Sequence, residues 1–582
     1  MNDEGVVRMS GGEALAEMLR LAGAEIAFGM GGFQLLPFYD AISRTGNRSP
    51  RHILVHDERS GAFAADAFAR VSGKIGFCDG TLGPGATNLA TGLVEAATAG
   101  IPLVAFIGDS NRDYSGKNMT QETRQAEILT PIVKELIPVE RGQRIPELLR
   151  RAFNTATSGR PGPVILNIPE DIAHKKWEFP LDDFYVDKHA CSLSSRRIRP
   201  DAGELKKVAE LLRKAKRPVL MVGGGIHLSG AYADLRDFAE TLNVPVAHTL
   251  SGKGALSCSH PLCLNLFGRY DRVANSFIKS ADLLIGLGCK FGEVATVRYT
   301  LIPKGVDLVH IDILPEEICR YQRVKVGLWA DARSALVDLM DETRSDAAVQ
   351  KTMRMGYVAE IRQKKQEWQE KNRERFISDE KPVNMVRLCT ELTKAMPPNG
   401  ILLADGGFAA HWTGLFYDAP AAGRTFVANR GNASIGYGVP GGIGAQLAAK
   451  EAPVVAVTGD GGFLMSMGGL ETAIRERIPA VWVIVNNAAS GYVKGLQHAL
   501  YQGRYQSSDL KEMNYARIAR EMGAHGIRVE DPKDLAGAIK EGVAERSLPT
   551  VIDVVVTRDP ARMLPAVDAR VRMTIQEGDR PI

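Results

Sequence analysis

Short continuous apolar runs alternate with stripes of apolar residues at helical spacing along almost the whole chain. The runs in HILVHDE, IPLVAFIGD, PVILNIPEDI, PVLMVGGG, PVAHTL, ADLLIGLG and VDLVHIDI predict buried strands, and SGAFAADAFARVSG and LATGLVEAATAG predict helices between them. An amphipathic helix is expected over residues 11–22. Strand–helix alternation of this kind builds layered α/β domains with mainly parallel sheets. Three such domains are predicted in succession, at 8–175, 201–340 and 382–562. Residues 176–200 are charged, proline-punctuated and irregular, and read as a linker. Residues 341–381 are dense in Lys, Arg, Glu and Gln at helical spacing and read as a solvated connecting helix. Residues 563–582 are left as a C-terminal tail.

The densest signal lies at 454–493, VVAVTGDGGFLMSMGGLETAIRERIPAVWVIVNNAASGYV. A β-branched run at 454–457 breaks at Gly459-Asp460-Gly461-Gly462, where glycines let backbone come close to a bound group. A helical pattern then carries Leu464, Met467, Leu470 and Ile474 inward, and a second strand at 481–485 ends on Asn486-Asn487. Parallel strands joined by a helix end at the same sheet edge, so Asp460 and Asn487 are expected in one crevice beside a helix N-terminus. Mg²⁺ takes about six oxygens, usually from one or two carboxylates and substrate phosphates. A helix N-terminus favours phosphate charge. The unit reads as a metal–diphosphate clamp. A Gly-Asp-Gly turn alone suits an ordinary β–α connection equally well; what sharpens it is Asn486-Asn487 at the end of the next strand, with 24 residues (462–485) between.

Composition narrows the class further. The 582 residues are 45% hydrophobic and 24% charged, a normal globular mixture with ample material for several cores. A formal charge of +4 is small for this length, and no basic run interleaves with aromatics, which argues against nucleic acid. Seven scattered cysteines without a CxxC argue against a disulfide framework or a zinc site and make a reduced cytoplasm the default. The first residues have neither signal-peptide nor transit-peptide character. No apolar run approaches the roughly 18 residues of a membrane span.

The GDG turn, its spacing and the following NN resemble the thiamine diphosphate motif. By that resemblance Asp460 and Asn487 ligate Mg²⁺ by side chain, Ala489 does so through its carbonyl, and Gly459, Gly461 and Gly462 line the diphosphate. Three α/β domains with the clamp in the last resemble the pyruvate oxidase and acetolactate synthase group, closest to the acetolactate synthase large subunit. In that group the first domain binds the aminopyrimidine and the third the diphosphate. Two copies are implied to complete the site across a two-fold axis, in a homodimer or homotetramer.

The resemblance extends residue by residue. Glu58, at a strand-to-helix boundary, reads on its own as a helix cap or first-turn charge. Family members place a Glu twelve residues before an Arg at this helix end, the spacing of Glu58 to Arg70. This implies that Glu58 supplies the carboxyl beside the pyrimidine nitrogen. Many relatives have His directly before that Glu; here Asp57 stands there and His56 one further back. TLGPGATN matches a glycine-rich turn and places Gly83 and Asn88 at the cofactor. Gln121-Glu122 lines up with an FQE segment bordering the active site in the family, with Thr120 in place of the Phe, and Lys134 matches a lysine there. In NASIGYGVPGGIGA, Ile435 takes the place of the Met that props the cofactor into its bent conformer. The stretch ADGGFAAHW keeps Asp405, Gly407 and Trp412 of a DVGQHQMW-like pattern but has Phe408, Ala409 and Ala410 at its Gln-His-Gln positions. SGYVKGLQ stands for LGMVRQWQ, placing Gly491 and Tyr492 at the cofactor, with Tyr492 for Met, Lys494 for Arg and Leu496 for the Trp that shapes the acceptor pocket.

In the middle domain, GGGIHLSGA, HTLSGKGA and FGRYDRVAN match segments that hold FAD in acetolactate synthases. Gly292, Glu293 and Val294 replace the Asp-Asp-Arg of a later motif. Flavin, an adenine nucleotide and an empty pocket all stay open there. The implied reaction is decarboxylation of a 2-oxo acid with carboligation to a second carbonyl. The changes at Phe408, Lys494 and Leu496 imply a different donor or acceptor. A 2-oxo acid decarboxylase or acyl-CoA lyase of the same cofactor group is the alternative, although the His-His pair of simple decarboxylases does not occur. A non-catalytic cofactor-binding paralogue is the remote one.

Overall fold

A computed structural model describes residues 5–44, 50–193 and 195–565. The three alternating stretches form three six-stranded sheets in which neighbouring strands run parallel. The first sheet runs Arg51–Leu54, Ile26–Gly29, Gly76–Gly80, Leu103–Asp109, Pro163–Pro169, Glu135–Pro138. The third runs Phe426–Ala428, Ile401–Ala404, Val454–Gly459, Val481–Asn486, Thr550–Val555, His525–Val529. Numbered along the chain within each domain, both have the order 2-1-3-4-6-5. The middle sheet runs Cys263–Leu266, Val246–His248, Pro218–Val222, Leu283–Leu287, Asp307–Asp312, Val326–Trp329, the order 3-2-1-4-5-6 of dinucleotide-binding folds. The central strands are buried on both faces, which is why they read as unbroken apolar runs.

By packing, the chain divides into two compact units. One comprises Met1–Arg196, Asn429–Glu451 and Ser466–Ala480; the other Arg197–Ala428, Ala452–Met465 and Val481–Ile582. The middle and third sheets thus share a unit. Two helical pieces of the third sequence domain belong with the first sheet. The helix Gly438–Ala448 lies on Glu58–Ser72 so closely that a Cβ on Gly444 would sit 1.9 Å from the Ala64 carbonyl oxygen. Under this pair, Arg70 bonds Asp66 at 2.6 Å and Glu95 at 2.9 Å, and the Tyr437 hydroxyl donates to Asp66 at 2.7 Å. All four are buried, so each charge is held by a partner instead of water.

Several expectations change. Residues 176–200 open with the strand Lys176–Pro180, antiparallel to Val6–Ser10, because alternating Trp177 and Phe179 close the first core. Residues 341–381 are helical as read, but Arg354 is fully buried and its guanidinium donates to the carbonyls of Leu212, Ala215 and Leu242 at the ends of two neighbouring helices. The helix expected to carry Leu464 inward is two helices, Asp460–Ser466 and Gly469–Arg475. Leu470 is buried as expected, whereas Leu464 is 36% exposed, because the break at Met467-Gly468 resets the helical face. Of the tail, 563–565 pack inward, with Met563 and Leu564 buried; 566–582 lie outside the described residues. No helix among the described residues is long and apolar enough to cross a membrane.

Gly444→Ala should lower stability by about 1–3 kcal/mol through overpacking against the Ala64 backbone. A denaturation midpoint equal to the wild type would show that the two helices separate freely.

Candidate active site

In the third sheet the strand order reverses between Ile401–Ala404 and Val454–Gly459, and crevices at such points bind ligands at the carboxyl ends of the strands. Asp405 and Asp460 follow these two strands. Asp405 accepts a hydrogen bond from Thr458 Oγ1 at 2.7 Å, tying one strand end to the other. Asp460 is 1% exposed. Its Oδ1 accepts the Gly461 N–H at 2.8 Å and its Oδ2 the Ala488 N–H at 2.7 Å. Burial pushes its pKa up to about 6, against the opposing pull of the backbone N–H groups.

The Asn-Asn pair divides its labour. Asn486 Nδ2 donates to Met513 O and to Asp553 Oδ1, both at 2.9 Å, which fixes the strand end. Asn487 turns the other way. Its Oδ1 accepts the Ala489 N–H at 3.2 Å, and its amide nitrogen lies where a Cβ on Gly491 would come within 2.4 Å. The Phe408 ring would be 2.8 Å from that same Cβ, so only glycine fits at 491. Ala488 takes a left-handed φ of 51°, and the turn is stitched by Leu510 N–H to Ala488 O at 2.8 Å and Ser490 N–H to Ser508 O at 2.7 Å. Cβ positions on Gly459 and Gly461 meet nothing closer than Leu510 at 3.4 Å among the described residues, leaving backbone approachable beside Asp460; Gly462 follows in the same short helix.

In the other unit, Glu58 opens the helix Glu58–Ser72 but does not cap it. Asp57 is the cap, accepting the Arg59 N–H at 2.8 Å. Glu58 is 3% exposed and accepts from Asn88 Nδ2 at 3.0 Å, with its Oε1 2.8 Å from a Cβ built on Gly85. The glycine-rich turn therefore wraps this carboxyl. Gly83, at φ 72°, faces the Gln121 carbonyl, which a Cβ would approach to 2.1 Å. Gln121 itself is exposed and left-handed at φ 67°. Glu122 folds this loop, accepting the Gly116 N–H at 2.7 Å. His56 pairs with Glu471 at 2.6 Å on the surface.

Lys134 departs from its expected place at the pocket. Its ammonium collects the carbonyls of Thr155, Ser158 and Arg160 at 2.5–3.0 Å, ending the helix Ile145–Thr157, and burial lowers its pKa to about 8. Ile435 is 46% exposed, so it is not plain core. Its loop is held by buried Glu95, which accepts the N–H groups of Gly431, Asn432 and Ala433 at 2.8, 2.6 and 3.2 Å. Nothing in the sequence pattern marked Glu95, since a Glu inside an apolar helix reads as surface.

The pocket candidates lie on the helices Phe408–Phe416 and Gly491–Leu500. Phe408 is buried against Gly491. Lys494 is bound to Asp509 and lies 5.2 Å from the Tyr505 ring centre, so its charge is locally matched. Leu496 is half-buried against the core, and Gly495 backs onto Leu564. The Tyr492 hydroxyl accepts from Arg269 Nη1 at 3.1 Å, and its ring meets His411 edge-on at 5.0 Å. In the middle domain, Gly223 and Gly225 are required by close approach to Gly288, whose atoms would lie 2.2 and 2.6 Å from Cβ atoms there.

The chain is similar to known proteins over nearly its whole length. Residues 9–128 match the thiamine pyrophosphate enzyme N-terminal TPP binding domain, 205–339 the central domain and 405–554 the C-terminal TPP binding domain. The chain is 33% identical to a probable acetolactate synthase large subunit of Methanocaldococcus jannaschii, covering 97% of this chain and 95% of that protein. It is 31% identical to the acetolactate synthase large subunit of Corynebacterium glutamicum (97% and 89% covered) and 30% identical to the isozyme 3 large subunit of Escherichia coli K12 (95% and 95%). The chain belongs to the thiamine diphosphate-dependent enzymes of the acetolactate synthase family. It is an acetolactate synthase-like enzyme with three consecutive α/β domains.

The residues present fit that cofactor. A carboxylate buried among backbone N–H groups, an amide beside it and open glycine backbone at a sheet edge suit a cation carrying a diphosphate. The two asparagines should separate cleanly on mutation. Asn487→Ala should weaken Mg²⁺-dependent thiamine diphosphate binding at least about tenfold, with little loss of stability. Asn486→Ala should instead destabilise the fold by about 1–3 kcal/mol, by leaving buried Asp553 a partner short. Calorimetry and denaturation showing the opposite assignment would overturn this division.

Proposed function

We propose that the chain releases carbon dioxide from a 2-oxo acid and joins the remaining carbon unit to a second carbonyl other than that of pyruvate. When bound, thiamine diphosphate supplies the nucleophilic carbon and the electron sink. Asp460 and Asn487 by side chain and Ala489 by its carbonyl would hold Mg²⁺, with the diphosphate over Gly459, Gly461, Gly462 and Gly491. Glu58 would hold a proton at the pyrimidine nitrogen, kept in place by Asn88 and the Gly83 turn. Gln121 would border the substrate, and Ile435 would prop the cofactor. The carrying observation is Glu58 itself: a buried carboxyl at a helix start whose capping role Asp57 already fills.

The acceptor preference rests on the pocket lining. Phe408 puts apolar bulk against Gly491, and Leu496 stands where the family has an indole. A changed apolar contact alters specificity by about 1–3 kcal/mol, so the chemistry persists with a shifted preference. Oligomerisation is supported by the exposure of Leu464, Met465, Val493 and Leu510 around Asp460 and the first turn after Gly491. A homodimer or homotetramer would cover them. The 3-2-1-4-5-6 order of the middle sheet supports a bound dinucleotide, FAD by the family's habit; flavin absorbance in the purified protein would test it.

A panel of 2-oxo acids, assayed for carbon dioxide and for condensation products, tests the whole proposal. Condensation products with acetolactate from pyruvate as a minor one are expected; aldehyde alone would make the protein a decarboxylase, and efficient acetolactate formation would restore an ordinary acceptor. Glu58→Gln should slow exchange of the cofactor C2 proton by about 10²–10⁴-fold, since an amide cannot deliver a proton. Exchange at the wild-type rate would reduce Glu58 to a first-turn charge.

A further inference from the structure

Tyr492 and Arg269 come from different domains of one compact unit and meet at the ligand-bearing edge of the third sheet. Tyr492 lies in the first turn of Gly491–Leu500, directly after the glycine packed on Asn487. Arg269 comes from the loop after the middle-sheet strand Cys263–Leu266. A second arginine of that loop, Arg272, has a plain structural task. It donates to Leu415 O at 2.7 Å and Asp418 Oδ1 at 2.6 Å, closing the end of the helix Phe408–Phe416. Arg269 instead reaches the side chain of Tyr492, with Glu293 Oε1 at 3.5 Å on its other side. The phenol ring is further fixed edge-on to His411, itself 5.0 Å from the Tyr270 ring.

A phenolic oxygen that accepts a guanidinium N–H has its own O–H left to donate in another direction. With the ring wedged against His411 and the oxygen anchored on Arg269, that O–H has little rotational freedom. Donors fixed in advance of charge development are the ones that lower a barrier. Where the family pattern has Met, this chain has a hydroxyl donor. Where that pattern has Asp-Asp-Arg, it has Glu293 beside the arginine that holds the donor. The two departures meet on one guanidinium.

We propose that Tyr492 is a catalytic hydrogen-bond donor to the acceptor carbonyl oxygen, and that Arg269 is its positioning residue; this rests on the carboligation proposed above. As the new C–C bond forms, the carbonyl π pair moves onto the oxygen. The Tyr492 O–H stabilises that oxyanion, which then takes its proton from solvent. No redox step or further co-reactant is involved. The donor acts at the second carbonyl only, so it favours condensation over simple protonation of the carbon left by decarboxylation.

The test uses the thiamine diphosphate-loaded full-length protein and the best donor–acceptor pair from the 2-oxo acid panel. In Tyr492→Phe, the ratio of condensation product to carbon dioxide released should fall about 10²-fold. Arg269→Met should lower the same ratio, and the double variant should fall no further than Tyr492→Phe alone. A binding measurement supplies an independent readout. Calorimetry with oxamate, a non-reacting 2-oxo acid mimic, should show about tenfold weaker binding to Tyr492→Phe. An unchanged product ratio in Tyr492→Phe, or fully additive losses in the double variant, would overturn the proposal. A wild-type protein that releases carbon dioxide without condensation would instead overturn the carboligation reading on which it rests.

Discussion

The structure depends on one costly placement, a carboxylate buried at the edge of a parallel sheet. Asp460 is 1% exposed, and the groups that bond it are backbone N–H donors. Burial raises its pKa to about 6, so its charge at neutral pH is held at a cost. A divalent cation held there would turn that cost into binding. The surrounding features serve this point: Thr458 ties the neighbouring strand end through Asp405, Asn486 anchors its strand to Asp553, and Asn487 is free to face the crevice. Gly491 lets the next helix start within van der Waals reach of Asn487.

The first and third sheets share one strand order, yet they are used differently. The third offers a strand-end carboxylate and a short helix. The first offers a buried glutamate at a helix start, surrounded by a glycine turn and Asn88. The middle sheet has another order, and in the loop after its strand Cys263–Leu266 one arginine closes a helix end and another grips Tyr492. The proposed specificity residues thus come from two domains, while the proposed cofactor residues sit at strand ends and helix starts.

Much of this was legible in the sequence because parallel strands buried on both faces leave unbroken apolar runs, and because glycine turns are punctuation. The spacing from Asp460 to Asn487 gave the crevice directly, since two adjacent parallel strands must end together. Other features left no local trace. Glu95 reads as a helix-surface charge, but its partners are Arg70 and the backbone N–H groups of 431–433, distant in sequence. Lys134 matches a family lysine by resemblance, yet its ammonium collects the carbonyls at a helix end. Leu464 followed the helical stripe until the break at Gly468 moved it outward. The grip of Arg269 on Tyr492 joins residues 223 positions apart, beyond any periodicity.

The most direct measurement is calorimetric titration of thiamine diphosphate into wild-type protein and Asp460→Ala, each at a series of Mg²⁺ concentrations. Affinity that rises steeply with Mg²⁺ in the wild type and is weak and independent of Mg²⁺ in Asp460→Ala is predicted. The same Mg²⁺-dependent affinity in both proteins would contradict the metal–diphosphate clamp.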